Sequence, residues 1–155
     1  MLNPRIYFVL LSCFFGLYAT AQQETAIWYF GEGAGLDFNS GAPVPLTDGA
    51  LVTQEGGASI ADATGNLLFY TDGSTIWNRN HAQMPNGTRL RGHASSTQSA
   101  IIVPSPGDPN IYYVFTVFVQ GNPGGLRYNI VDMTLDGGLG DITTKDVPLE
   151  NRVLE

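Results

Sequence analysis

The chain has 155 residues, with 14 acidic side chains against 7 basic ones and a formal net charge of −7. This balance argues against nucleic acid and anionic membrane surfaces as partners, because both recruit Lys and Arg. Its 19 glycines and nine prolines disfavour helices and suit tight turns, and the length suffices for one domain with a core of its own.

Residues 1–21 read as a signal peptide. Arg5 supplies a positive n-region, Ile6 to Tyr18 an apolar h-region, and Ala19-Thr20-Ala21 a small-x-small cleavage site. The apolar run is shorter than the roughly 20 residues of a transmembrane helix, and no later stretch could cross a bilayer as a helix. The expected destination is therefore extracellular or the outer cell surface. The only cysteine, Cys13, lies inside this leader. Leu10-Leu11-Ser12-Cys13 resembles a lipoprotein box, but the apolar Phe14-Phe15-Gly16-Leu17-Tyr18 that follows argues against it. Cleavage after Ala21 removes Cys13 and with it any disulfide framework or thiolate metal site.

Beyond the leader the pattern is strand and turn. Ile27-Trp28-Tyr29-Phe30 is a short aromatic strand, and Gly33-Ala34-Gly35 reverses the chain into Leu36-Asp37-Phe38. Residues 44–57 alternate weakly and read mostly as connection. Ala58-Ser59-Ile60-Ala61 and Asn66-Leu67-Leu68-Phe69-Tyr70-Thr71 form a hairpin about Asp62-Ala63-Thr64-Gly65. The unbroken apolar run within it predicts burial on both faces. Asp72-Gly73 is a hairpin-turn dipeptide leading to Thr75-Ile76-Trp77-Asn78. Residues 79–98, broken by Pro85-Asn86-Gly87, read as a long surface connection with room for a short edge strand. Strands are then expected at 100–103, 111–118, 126–133 and 142–147. No segment after the leader carries a 3.6-residue apolar period.

The hairpin at 58–71 recurs at 100–116. Asn66 and Asn110 stand at equivalent places, a separation within the roughly 40–50-residue period of a propeller blade. Four antiparallel strands joined by turns make one such blade. The expected fold is thus all-β, with antiparallel β-propeller-like blades, about two of them and incomplete. A single β-sandwich is the alternative. A closed propeller needs about four blades or more, so residues 22–155 are expected to be the N-terminal fragment of a longer protein that supplies the remaining blades.

Several segments in order carry a family resemblance: Ile27-Trp28-Tyr29-Phe30-Gly31, Leu67-Leu68-Phe69-Tyr70-Thr71-Asp72-Gly73, Ile76-Trp77-Asn78-Arg79-Asn80-His81, Met84-Pro85-Asn86-Gly87, Ser96-Thr97-Gln98-Ser99-Ala100-Ile101-Ile102-Val103-Pro104, and Val131-Asp132-Met133-Thr134-Leu135-Asp136-Gly137-Gly138-Leu139-Gly140. The region after the leader resembles the N-terminal part of large secreted surface proteins of Bacteroidetes, described as gliding-motility-associated or as type IX secretion sorting-domain proteins. The resemblance implies propeller-type repeats and a secreted or cell-surface, non-catalytic role in binding, adhesion or scaffolding. It offers no catalytic residues to carry over, and no C-terminal sorting domain is visible in these 155 residues.

Candidate sites read as follows. Trp28, Trp77, Tyr112 and Tyr113 are candidates for a ligand surface taking an extracellular carbohydrate or protein. Adjacent tyrosines on a strand face opposite sides, so one of the pair belongs to the core. Asp62, Thr64 and Asn66 offer hard oxygens for calcium, although Asx-turn hydrogen bonding is the simpler reading. His81 and His93 lack a helical metal-site spacing, and a zinc site would need a third ligand such as Asp48, Glu55 or Asp72. Tyr70 to Trp77 has the residue types of an Asp-box at the wrong spacing and reads as a plain turn. Ser95, Ser96 and Thr97 lie near His93 without a Gly-x-Ser-x-Gly elbow. No cofactor is expected. The alternative to a binding module is part of a propeller glycoside hydrolase or lyase whose acidic residues come from later blades.

Overall fold

The computed structural model describes residues 23–119 and 125–150. The expected leader, residues 1–21, lies outside them. Among the described residues ten strands occur in chain order: β1 (Ile27–Phe30), β2 (Ala34–Asp37), β3 (Val44–Leu46), β4 (Ala58–Ala61), β5 (Leu67–Thr71), β6 (Ile76–Asn78), β7 (Ala100–Ser105), β8 (Asp108–Val117), β9 (Leu126–Asp132) and β10 (Asp141–Glu150). The only helical turns among the described residues are two 3-10 segments, Gln23–Thr25 and Asp136–Gly138. None of the helices found there is long and apolar enough to cross a membrane.

The strands form three antiparallel sheets, each from strands consecutive in the chain: β1-β2-β3, β4-β5-β6, and β7 to β10 in the order β10-β9-β8-β7. None is closed. The all-β expectation holds, and the four strands expected from residue 100 onward match β7 to β10. The second hairpin turns more tightly than expected, with Ser105 paired to Asp108. The number of units differs from the expected two. The N-terminal segment builds a sheet of its own because Gly31 and Gly33 take positive φ, +59° and +70°, and reverse the chain within three residues. Nor are residues 44–57 mere connection, since they supply β3 and the fully buried Leu51.

Two cores separate the three sheets. Ile27, Tyr29, Leu51, Ala61, Tyr70 and Trp77 form one. Ile60, Phe69, Ile76, Ala100, Tyr112, Val114, Val131 and Ile142 lead the other. Successive side chains on a strand point to opposite faces, and the middle sheet shows it at three places: Ile60 and Ala61, Phe69 and Tyr70, and Ile76 and Trp77 each divide between the cores. Phe69 and Tyr70 are both fully buried, which is why the sequence there is apolar without alternation. Between sheets the first strands lie closest, β1 beside β4 and β4 beside β7.

Residues 79–98 correct the surface-connection reading. Met84 and Leu90 are buried in the second core. The segment runs back along β6, with the Met84 N–H donating to the Ile76 carbonyl at 2.9 Å and the Ile76 N–H donating to the Gly87 carbonyl at 2.7 Å. Most of its polar residues face water, Ser96 being a buried exception, while these two apolar ones plug the edge of the stack.

The turns share one device. Asp37, Asp62, Asp72, Asp108 and Asp132 each accept, at 2.8–2.9 Å, the backbone N–H two residues ahead. These are Asx turns. Asp72 also accepts the Thr75 N–H at 2.7 Å, and Gly73 follows at φ +88°, where a Cβ would sit 2.7 Å from the Ser99 carbonyl oxygen. Only glycine suits that turn, on both conformational and steric grounds.

Phe69→Ala is expected to destabilise the protein by about 3–5 kcal/mol, read by urea denaturation. A loss near zero would mean that the middle sheet is not packed on its second face.

Candidate functional site

The aromatic candidates separate into two pairs. Trp77 lies in the first core, stacked on Tyr70 with ring centroids 5.6 Å apart. Tyr112 lies in the second, edge-on to Phe69 at 5.5 Å. Both are buried, at 8% and 7% exposure, so they supply core area rather than a surface. The reason is tertiary: the sheets on either side cover the faces they occupy. Trp28 and Tyr113 face outward instead. Trp28 is 49% exposed. Its indole N–H donates to the Thr25 carbonyl at 2.8 Å, and its ring tilts over Phe38 at 5.0 Å. A hollow of about 380 Å³ opens beside it, lined by Gln23, Thr25, Ala26, Phe38, Asn39 and Gly41. Tyr113 stands half-buried on the outer face of the third sheet, near Phe115 at 6.3 Å and Tyr128 at 6.2 Å. A second hollow, about 470 Å³, borders that face and includes Ile101, Phe115 and Val117.

The turn at Asp62 is closed on itself. Asp62 Oδ1 accepts from the Thr64 N–H at 2.8 Å, the Thr64 hydroxyl at 2.7 Å and the Asn66 N–H at 3.0 Å. Its Oδ2 accepts from the Asn66 amide at 3.0 Å. Burial raises the Asp62 pKa, but the donors from Thr64 and Asn66 outweigh it and hold the carboxyl down at about 2. The oxygens that would meet calcium are thus engaged by neighbouring donors. Among the described residues no three His, Cys, Asp or Glu side chains come together in a metal-binding group.

A polar cluster not legible in the sequence spans the first and middle sheets. Tyr29 on β1 stacks on Tyr70 of β5 with centroids 4.6 Å apart. The Tyr29 hydroxyl donates to Asp48 Oδ1 at 2.8 Å. The Tyr70 hydroxyl accepts the Ala50 N–H at 2.9 Å and meets His81 Nδ1 at 3.0 Å. The other ring nitrogen of His81, Nε2, lies 3.4 Å from Asp48 Oδ2. Burial, then the Asp48 carboxylate, push the Tyr29 hydroxyl well above the usual tyrosine range. Burial raises Tyr70 as well. The hydrogen bond from Tyr29 holds Asp48 below its ordinary value. His81 reaches this place on a left-handed backbone, φ +59°, which a non-glycine residue adopts at some cost.

The arrangement ties two sheets by side-chain hydrogen bonds. Within it Tyr70 is fully buried, whereas the His81 and Asp48 side chains are 25% and 61% exposed. Of the third ligands considered for His81, the fold brings Asp48 alongside, whereas Asp72 closes its own turn. His93 belongs elsewhere: its Nδ1 accepts the Ser95 N–H at 3.1 Å, and its ring tilts against Phe118 at 5.6 Å. The sequence hints of the cluster were that Tyr29 and Tyr70 both sit in aromatic strands and that Asp48 was one of three carboxylates considered beside His81. Asp48 and His81 stand in loops without any pattern.

Comparison with protein-family models, curated proteins and solved structures gives no significant match to the chain.

Tyr70→Phe keeps the ring stack and removes the hydroxyl between Ala50 and His81. It is expected to cost about 1–3 kcal/mol, read by urea denaturation, and unchanged stability would mean that the cluster does not hold the two sheets. Asp62 bears on acid stability. Its folded pKa lies below the ordinary 3.8, so its contribution is present above that value and is lost as the pH falls toward about 2. The stability gap between the parent and Asp62→Asn should therefore shrink across this window, and a gap constant with pH would contradict the assignment.

Proposed function

We propose that the chain is a non-catalytic β module of an exported, cell-surface protein, acting in binding, adhesion or scaffolding, and that its sheets are successive blades of a propeller-type array. The observation that carries this reading is the serial stack itself. Each sheet packs on the next by an apolar face, and first strand lies beside first strand. The resemblance to gliding-motility-associated and type IX secretion proteins points the same way and suggests the setting.

The outward-facing aromatics support binding to a protein surface over a sugar. Trp28 and Tyr113 sit among Phe30, Leu36, Phe115 and Tyr128, on cross-strand rows without a charged side chain. Such faces suit another apolar β surface. On this reading the hydrogen bonds of the Asp62 turn and of the Tyr29–Tyr70–His81–Asp48 cluster are structural.

The proposal is tested in cells. Proteinase K added to intact cells is expected to remove the chain, and deletion of its gene is expected to reduce surface attachment or colony spreading. A chain protected from the protease, or a deletion strain with unchanged attachment and spreading, would overturn it.

A further inference from the structure

Four side chains from separate segments converge at the seam between the first and middle sheets: Tyr29 from β1, Asp48 from the loop after β3, Tyr70 from β5 and His81 from the segment after β6. His81 Nε2 and Asp48 Oδ2 stand 3.4 Å apart. Two donors that each lie about 2.0–2.2 Å from one ion, at angles between square and tetrahedral, are separated by roughly 2.8–3.6 Å. The Tyr29 hydroxyl is 2.8 Å from the other carboxylate oxygen, Asp48 Oδ1. His81 Nδ1 meets the Tyr70 hydroxyl at 3.0 Å. Metal-bound imidazoles are held in this manner through their second nitrogen. Imidazole and carboxylate are common metal ligands, and here phenols complete the donor set.

Both loops that carry these donors are braced. The His81 N–H donates to the Asn78 carbonyl at 2.9 Å. The buried Asn78 side chain accepts the N–H groups of Asn80 at 3.0 Å and Ala82 at 3.3 Å, on either side of His81. This turn holds His81 at φ +59°, and a non-glycine residue kept in that region is a mark of functional sites. Asp48 is followed by Gly49, where a Cβ would sit 2.6 Å from the Tyr29 ring. The Ala50 N–H then donates to the Tyr70 hydroxyl at 2.9 Å. Donors fixed in this way need little rearrangement to receive a ligand.

We propose that Tyr29, Asp48 and His81 bind a ferric ion, with Tyr70 as the residue that positions the imidazole. Carboxylate and phenolate are hard, anionic oxygen donors, and a single imidazole beside them suits iron. Calcium takes six or more oxygens and is poorly served by this set. Zinc is satisfied by imidazole and carboxylate, so the adjoining phenol is what favours the trivalent ion. The ion reaches the site from the side of His81 and Asp48, whose side chains are 25% and 61% exposed. Tyr29 and Tyr70 lie behind them at 4% and 0%. On binding, the Tyr29 hydroxyl releases its proton to water and becomes a phenolate, and the iron stays ferric. With the ion on Nε2, the imidazole proton sits on Nδ1 and is donated to the Tyr70 oxygen. The remaining positions on the iron are open to water or a small anion. The ion joins β1 to two loops, so its binding also tightens the seam. The proposal goes beyond the propeller-type reading and does not rest on it.

Ferric nitrilotriacetate titrated into the purified protein at neutral pH is expected to produce a visible phenolate-to-iron charge-transfer band that saturates at one iron per chain. Tyr29→Phe is expected to abolish the band. Tyr70→Phe should keep it and weaken iron binding about 10–100-fold, as loss of a partner behind a metal-bound histidine does. Circular dichroism without iron reports whether each variant folds. Should Tyr29→Phe fail to fold, Asp48→Asn carries the test, because its side chain is largely exposed; it is expected to weaken iron binding at least about tenfold. A parent protein that gives no band overturns the proposal. So does a band unchanged in Tyr29→Phe or an affinity unchanged in Asp48→Asn, which places the iron on other tyrosines. Zinc chloride that binds through His81 and Asp48 while ferric nitrilotriacetate gives no band overturns the ferric assignment. None of these results bears on whether the sheets are blades.

Discussion

Strand β5 places Phe69 in one core and Tyr70 in the other, and the rings they meet tie three sheets into one stack. Phe69 receives Tyr112 edge-on from the third sheet. Tyr70 lies between Tyr29 of the first sheet and Trp77 of its own. Many antiparallel sheets keep one face in water and alternate accordingly. The middle sheet has no such face. Its three strands are too few and too short to be stable alone, so it depends on neighbours on both sides, as a unit of a repeat array does.

The two seams differ in character. The second is broad and apolar, sealed at its edge by Met84 and Leu90 from the segment that follows β6. The first is smaller, and aromatic stacking carries much of it, together with side-chain hydrogen bonds. Tyr29 to Asp48, Tyr70 to Ala50 and His81 to Tyr70 run around its rim. Hydroxyls buried at a seam are costly unless partnered, and at this one Tyr29 and Tyr70 both find a partner. The acidic excess has a local use as well. Five aspartates close turns with their carboxylates, so much of the negative charge stands where strands end and leaves the sheet faces apolar.

Charge and the outward aromatic rows are thus kept largely apart. The outward rows on the first and third sheets are aromatic and aliphatic, while carboxylates and amides gather in the turns. A stack built in this way can continue by adding another sheet at either end.

Much of the secondary structure was legible along the chain. The Asp-Gly turn at 72–73, the apolar run 67–70 and the four strands from residue 100 follow from local sterics and period-two patterning, which short segments encode. The recurrence of the hairpin likewise pointed to stacked units. What local pattern could not give was which faces meet. Trp77 and Trp28 are alike in sequence terms, each an aromatic within a short apolar strand, yet one is enclosed and the other half exposed, because only the stacking order decides which face has a neighbour. The separate first sheet depended on two glycines with positive φ, and the burial of Met84 and Leu90 on the return of a polar loop along β6. The meeting of Asp48, His81, Tyr29 and Tyr70 joins residues from two sheets and two irregular loops. Turn chemistry and strand periodicity act over a few residues and were readable from the sequence; contacts across a seam depend on the relative placement of whole sheets, and only the tertiary structure fixed them.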